Sequence, residues 1–479
     1  MSSDSSILLK DNSFYSGDRW EGADHQLMDL DECFTADYFE LANSHSFSNP
    51  RSDYANEVFL YYWLDVLKAK LLVSNFSLAV VGKGNSVKQR ALFISACNEA
   101  GVKIAGFASG SIYFLSVILG LFFSLLCLLL VAPLFVYLLV KGKSASASSD
   151  RFDEIYLIRS KAALQKASKS IGQSGERGLI VYDPVGFSYE DEGVSIYAFL
   201  KGRSAPFSLL SALARASRDA LYFSFDVISI LGVSGLHIWR DYYLRVAHKA
   251  IFEVALQRLI KCYPEADYYS GDKEDRFAVL ETRVTHQAGV VLTCLPHGLE
   301  YGYKFPSGVC GSRFYTYTPE AATLLSALYG RSSFVYEEGM ARAMLLPGGA
   351  ANNSSGSLTC CFFTEPRDPG VNYEIIAGLL ADGVKFAVKL HPLEDERDYL
   401  SRFSGLNIVV DYDQAISADF CLARKSTVLL ESAARGHQPV AVLINNKDRM
   451  YVDHVFPSLQ SDQIIRVEHL SQVKALVQG

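Results

Sequence analysis

Ala418-Asp419-Phe420-Cys421-Leu422-Ala423-Arg424-Lys425-Ser426-Thr427-Val428-Leu429-Leu430-Glu431-Ser432-Ala433-Ala434-Arg435-Gly436-His437-Gln438-Pro439-Val440-Ala441-Val442-Leu443 holds one complete folding unit. Residues 418–422 form a short apolar run that predicts a buried strand. Ser426-Thr427 opens a helix that runs from Val428 to Arg435, and Gly436 stops it. Pro439 to Leu443 is the next strand. Strand, helix and strand in so short a space predict parallel neighbours joined by a right-handed crossover.

The same alternation extends upstream. Cys360-Cys361-Phe362-Phe363 reads as a strand, and Tyr373 to Ala381 as a helix ended at Gly383. Val384 to Leu390 is a strand that runs into His391-Pro392, succeeded by a helix from Glu394 to Phe403 and a strand from Asn407 to Val410. Cys360 and Cys361 would point to opposite faces of their strand, which argues against a local disulfide. The first half repeats the pattern. Leu78 to Val81 and Val102 to Gly106 are strands around a helix from Val87 to Ala100, with Gly82-Lys83-Gly84-Asn85-Ser86 as the first turn. That turn is neither a dinucleotide fingerprint nor a P-loop, so it reads as a tight turn. Glu154 to Ile158, Gly178 to Tyr182 and Val290 to Cys294 are further strands; 205–220, 241–263 and Asp272 to Gln287 are helices. Residues 1–50 are polar and aperiodic and are expected to be a tail with little regular structure.

Between Lys103 and Lys141 no residue is charged. Such a run predicts a membrane segment over 106–140. As one helix it would be roughly 55 Å long at about 1.5 Å per residue, longer than a hydrocarbon core of about 30 Å. With Pro133 and Gly120 as candidate breaks, a membrane-dipping hairpin is the favoured topology and a single span its competitor. Lys141, Lys143 and Arg151 put the downstream chain on the cytoplasmic side.

Composition sets bounds. The chain has 479 residues, enough for two domains; 49% are hydrophobic and 20% charged, which marks a globular chain. A net charge of −7 and no basic, aromatic-dotted stripe exclude nucleic acid as a main partner. The nine cysteines are scattered, with no C-x-x-C and no zinc spacing, so no metal and no cofactor is expected. Met1-Ser2-Ser3-Asp4 does not lead into a basic and then an apolar region, so no secretory signal is read.

Three strand-end motifs carry the chemistry. Tyr189-Glu190-Asp191-Glu192-Gly193 comes after the strand at 178–182; crowded carboxylates raise at least one pKa towards that of a general base, and glycine allows close approach. A solvated acidic turn is the alternative. His391-Pro392 fixes an imidazole at a strand's end, where it can meet a departing phosphate; a turn histidine bonded to backbone is the alternative. Ser426-Thr427 at a helix N-terminus, with Arg424 and Lys425 before it, forms an anion site or an ordinary cap. Glu431 can take a ribose hydroxyl or act in capping. Pro296-His297-Gly298-Leu299-Glu300-Tyr301 is a fourth strand-end loop, whose His297 and Glu300 either line a cleft or serve structure.

In this order the motifs resemble those of the bacterial sialyltransferases and polysialyltransferases of the GT-B type. That family carries an acidic-acidic-glycine motif, an HP motif and a paired Ser/Thr motif, here Asp191-Glu192-Gly193, His391-Pro392 and Ser426-Thr427. The resemblance spans most of 150–445. It implies an α/β fold of two Rossmann-like lobes around a central cleft, here with a membrane-inserted helical segment in the first lobe. The expected domains are the tail 1–50, an acceptor-side lobe 51–310 and a nucleotide-sugar lobe 311–479. It implies inverting transfer of a sugar, sialic acid first, from a CMP-activated donor to a glycan or lipid-linked hydroxyl, without a metal. Asp191 or Glu192 would be the base. His391 would bind or protonate the CMP phosphate, which Ser426 and Thr427 would hold; Pro392, Arg424, Lys425 and Glu431 complete the donor-binding set, the two basic residues reinforcing the anion site and Glu431 receiving a ribose hydroxyl. Glu190, Gly193, His297 and Glu300 would line the cleft. Three acids in a row, where the family has a pair, leave the base open between Asp191 and Glu192. The Pro296-His297-Gly298 loop and the run Ser426 to Glu431 also look like transferases of Kdo or glycerol phosphate, and a catalytically silent membrane scaffold is the reading from another class.

Overall fold

The computed structural model describes residues 6–17, 26–28, 38–40, 43, 65–105, 109–142, 151–161, 163–164, 167, 177–185, 193–202, 204–231, 236–271, 277–296, 298–302, 304, 311–331, 333–346 and 358–478. The chain divides into two compact units. One is Met1–Leu164 with Gly175–Cys294 and Lys304–Ser312; the other is Gln165–Ser174 with Leu295–Tyr303 and Arg313–Gly479.

The first unit carries two sheets. The strands β1 (Ser6–Lys10), β2 (Ser13–Gly17), β3 (Gln26–Met28), β4 (Leu78–Val81) and β5 (Lys103–Ala105) lie in the order β3-β2-β1-β4-β5. Helix α1 (Val87–Ala100) crosses from β4 to β5 with the bounds its sequence predicts. The N-terminal strands correct the expectation of a tail. Ile7, Leu9 and Phe14 are buried, and Asp11-Asn12 turns the hairpin with φ of 50° and 65°. Both central residues in the left-handed region is what a two-residue hairpin with the right twist requires, and Asp and Asn tolerate it. β1 then pairs in parallel with β4 and extends the sheet.

The turn after β4 locks onto this hairpin. The Asn12 N–H donates to Asn85 Oδ1 at 2.9 Å, and the Ser86 N–H to Asn12 Oδ1 at 2.6 Å. Gly84 has φ +81°, and a Cβ there would stand 1.8 Å from Asp11 Oδ1. The glycines therefore serve a turn packed on a turn.

The second sheet contributes β6 (Glu154–Ile158), β7 (Gly178–Tyr182), β8 (Val194–Ser195), β9 (Asp267–Ser270) and β10 (Leu292–Cys294), ordered β10-β9-β6-β7-β8. The pairings are parallel. Three long helices, α2 (Ser109–Lys141), α3 (Ala205–Leu231) and α4 (Leu236–Cys262), pack on one another, and α5 (Ala278–Ala288) packs on α4. α2 corrects the expected hairpin: it is one helix of 33 residues that passes through Gly120 and Pro133 without turning back. Cys127, Val131, Phe135 and Leu138 are buried on both sides of Pro133, so packing supports the helix where proline removes a donor. Val131, Phe135 and Leu138 share one core with Ile155 and Leu157 of β6 and Ala247, Ile251 and Ala255 of α4.

The second unit opens with the parallel pair β11 (Arg313–Tyr315) and β12 (Phe334–Val335), joined through α6 (Pro319–Tyr329), and continues through α7 (Glu338–Leu345). Its main sheet is parallel throughout. It comprises β13 (Cys360–Phe363), β14 (Ala387–Lys389), β15 (Phe420–Ala423), β16 (Gln438–Val442) and β17 (Ile465–Val467), ordered β14-β13-β15-β16-β17. Around it run α8 (Pro369–Ala381), α9 (Glu396–Arg402), α10 (Tyr412–Ile416), α11 (Thr427–Ala434), α12 (Asn446–Met450) and α13 (Leu470–Gln478). Both units are thus built on parallel strands with crossover helices, Rossmann-like in kind, the N-terminal hairpin adding two antiparallel pairings to the first sheet.

Candidate functional site

Parallel strands collect functional side chains at their carboxyl ends. In the second unit three neighbouring ends do so: Thr364-Glu365 after β13, His391-Pro392 after β14, and Arg424-Lys425-Ser426 after β15. β14 and β15 flank β13, so the two motif-bearing ends stand two strand spacings apart, about 10 Å.

A hub of hydrogen bonds sets the His391 turn. The His391 N–H donates to Thr364 Oγ1 at 3.0 Å and to Glu394 Oε2 at 3.2 Å. Glu394 also accepts from the Thr364 hydroxyl, from the Tyr399 phenol at 2.5 Å and from Asn372 Nδ2 at 3.1 Å. The Leu393 N–H donates to His391 Nδ1 at 3.2 Å. Nδ1 is thereby the acceptor nitrogen, and in the neutral ring the proton sits on Nε2. His391 is half-buried and Pro392 exposed, so the motif offers an N–H donor at the sheet edge.

Ser426 is the N-cap of α11, its Oγ accepting from the Val428 N–H at 3.3 Å. Thr427 is the first helical residue, and both are half-buried. The helix opens at the sheet's carboxyl edge, as an anion site would.

Arg424 differs from the expected phosphate contact. It is 0% exposed, with Nε donating to Asp448 Oδ2 at 2.6 Å and Nη2 to Asp448 Oδ1 at 3.1 Å. Its Nη1 donates to the Arg367 carbonyl at 2.9 Å and the Asp368 carbonyl at 3.2 Å. A guanidinium so enclosed ties loops together and has no face left for a ligand. Burial pushes the Asp448 carboxyl up, but the bonds and charges of Arg424 and Lys425 outweigh it and hold it below the usual carboxylate value. Lys425 is paired too: its N–H donates to Glu365 Oε1 at 2.6 Å, and its ammonium sits 3.2 Å from Glu365 Oε2 and 5.3 Å from the Tyr451 ring centre. Glu431 accepts from the Tyr412 phenol at 2.7 Å, which places it in a contact of α11 with α10. It stands two residues beyond capping-box spacing, which Leu429 occupies.

Glu300 also has a structural place. It is 1% exposed and accepts from the Tyr317 N–H at 2.8 Å and from the Ser458 hydroxyl at 2.6 Å. It holds loops together inside the second unit. Burial, then the charges of Glu300 and Glu431, drives the Tyr317 phenol well above its ordinary value. His297 lies outside the described residues, as do Glu190, Asp191 and Glu192; Gly193 is half-buried and leads into β8. A cavity of about 200 Å³ in this unit lies between α7 and α11 and is lined by Tyr317, Tyr336, Arg342, Leu430 and Gln463.

In the first unit the end of β7 carries a buried network that sequence reasoning missed. Asp183 Oδ2 lies 3.3 Å from His248 Nε2, and the Tyr197 phenol donates to Asp183 Oδ1 at 3.2 Å. Burial pushes the Asp183 carboxyl up, but the hydrogen bond and charge of His248, the Val185 N–H and Arg159 outweigh it and leave it below its usual value. At neighbouring strand ends Arg159 pairs with Glu281, which also accepts from the Ser270 hydroxyl at 2.9 Å. The signal was Asp183-Pro184 at a predicted strand's end; His248 sits inside a helix with no local mark.

No family model matches the chain, and no curated protein matches it in sequence. Among solved structures, a Listeria monocytogenes protein assigned as a UDP-N-acetylglucosamine 2-epimerase overlaps it with a TM-score of 0.38 at 9% identity. That overlap covers 69% of this chain and 89% of the other. The E. coli heptosyltransferase WaaC, solved with ADP-2-deoxy-2-fluoro heptose, overlaps with a TM-score of 0.30 at 14% identity, covering 68% of this chain and 98% of the other. Overlaps this loose carry no argument about activity.

Proposed function

We propose that the protein is a membrane-associated, inverting glycosyltransferase that moves a sugar, sialic acid first, from a CMP-activated donor to a glycan or lipid-linked hydroxyl. The observation that carries this reading is the pair of anion-directed groups at one sheet edge: the His391 Nε2–H and the Ser426-capped start of α11. Both suit the phosphate of a nucleotide leaving group, where charge builds in the transition state. Within this reading the acceptor oxygen attacks the anomeric carbon as the bond from that carbon to the phosphate oxygen breaks. The acceptor proton passes to Asp191, or to Glu192. CMP leaves with its new charge met by His391 and the helix start. Arg424 acts from below, by fixing the strand end that carries Ser426.

The test is donor hydrolysis and transfer across a panel of CMP-, CDP-, UDP- and GDP-linked donors. CMP-sialic acid should be consumed, and His391→Ala should slow this by roughly 100-fold or more. Consumption of CMP-Kdo in its place would move the donor but keep the reaction class, whereas consumption of CDP-glycerol would mean glycerol-phosphate transfer by attack at phosphorus and would replace the glycosyl-transfer reading. Turnover of UDP- or GDP-sugars alone, or of none, would reject the assignment.

A further inference from the structure

Two helices of the first unit present one continuous apolar face. On α2 the exposed large side chains are Ile118, Leu121, Phe122, Leu125, Leu129, Val136, Tyr137 and Val140. Steps of three, four and seven put them on one stripe. The span Val117–Lys141 has a mean hydropathy of 2.8, and 22% of its most apolar window is buried. On α3 the exposed apolar residues are Phe207, Leu210, Leu221, Tyr222 and Phe225, again one stripe. Among the described side chains Arg218 is the charge on that stripe, bonded to Asp219 at 2.8 Å.

The helices run side by side in opposite directions. The Ser124 and Ser224 hydroxyls are 3.1 Å apart, and Lys201, just before α3, donates to the Gly142 carbonyl, just after α2. They stay adjacent for roughly 30 Å at about 1.5 Å per residue. Both pack on α4 with their inner faces, so both stripes point away from it. α4 brings charge inside: Glu253, 0% exposed, meets Arg283 at 3.1 Å and also Arg215 of α3. A bilayer wrapped around α2 as a spanning helix would have to take in this cluster, at high cost.

We propose that α2 and α3 together form an in-plane platform that beds into one leaflet of an anionic membrane, rather than a span across it. Protein interfaces are about as polar as the rest of a surface; a face this long with one charge among its described side chains suits lipid. Lys141 is exposed at the end of the α2 stripe, 5.9 Å from the Tyr137 ring centre, with Lys201 beside it. Such a basic and aromatic edge fits anionic headgroups. The platform rests on the membrane part of the proposed function and is independent of the donor chemistry.

The experiment is flotation of the full chain with vesicles of phosphatidylcholine and phosphatidylglycerol. Wild type should float and should be released by alkaline carbonate. Leu125→Glu with Leu129→Glu on α2, and Phe207→Glu with Leu210→Glu on α3, should each cut the floated fraction roughly tenfold. Serine pairs at the same positions serve where the charged pairs melt early. A wild type that resists carbonate, with loss in the α2 variant alone, would overturn the platform in favour of a span. A wild type that stays unbound and runs as a dimer would overturn it in favour of a second copy. CMP-sialic acid hydrolysis on the same samples keeps the two readings apart. Variants that no longer float but still hydrolyse are the expected result; a wild type that floats without hydrolysing supports the platform and rejects CMP-sialic acid as the donor.

Discussion

His391 and Arg424 end two strands of one sheet edge that flank β13, yet their surroundings assign them opposite duties. His391 keeps Nε2 beyond its local bonds, whereas Arg424 spends its donors on Asp448 and two carbonyls. Arg424→Met should therefore act on stability. Removing one partner of a buried pair costs about 3–5 kcal/mol, read as a lower urea midpoint, and adding Asp448→Asn should restore part of it. A direct phosphate contact would instead weaken donor binding and leave the midpoint unmoved. The sequence could not separate these outcomes. Arg424-Lys425 before a capped helix has the same spelling whether the guanidinium points at a ligand or at Asp448, which lies far along the chain. His391-Pro392 was legible as a strand-end turn because local residues make it; the Glu394 hub was not, since it draws on Asn372 and Tyr399.

Elements set by local signals were readable almost to the residue. β4 and α1 have the bounds their caps predict, and α11 begins at Thr427 where Ser426 caps it. Elements set by partners were misread. β1 and β2 look like tail because the strand that completes their burial, β4, comes some seventy residues later. The uncharged apolar run reads as breakable at Gly120 and Pro133 because the support from α3 and α4 is absent from its own sequence. The N-terminal hairpin makes its own prediction. Gly84→Ala places a methyl 1.8 Å from Asp11 Oδ1 and forces φ +81° on a residue with a side chain. The left-handed strain alone costs roughly 1–2 kcal/mol, so the variant should melt several degrees lower. Asp11→Gly in the same chain, which removes the carboxylate and still allows φ +50°, should return the part of the loss that comes from the clash and leave the part that comes from φ at residue 84.

At the scale of the molecule, each unit closes its sheet edge around one buried carboxylate with a lowered pKa: Asp183 in the first, Asp448 in the second. A carboxyl whose folded pKa lies below its unfolded value binds fewer protons when folded. Its stabilisation is present above the unfolded pKa, about 4, and is lost as pH falls through the folded value. Acid should thus weaken both units together, with the steep loss below about pH 4 and no slope from these groups between about pH 5 and 7. Asp183→Asn and Asp448→Asn each remove one such group. Each should be less stable than wild type at neutral pH, and the deficit should shrink as pH drops below about 4, because the wild-type carboxyl is then protonated as well. Urea midpoints from about pH 2 to 7 give the readout, with both ranges set by the unfolded value of about 3.9. A deficit that stays constant across the range would mean that the carboxylates hold their loops by shape and hydrogen bonding rather than by charge. The buried arginine and histidine opposite them would then have to draw their compensation from other groups.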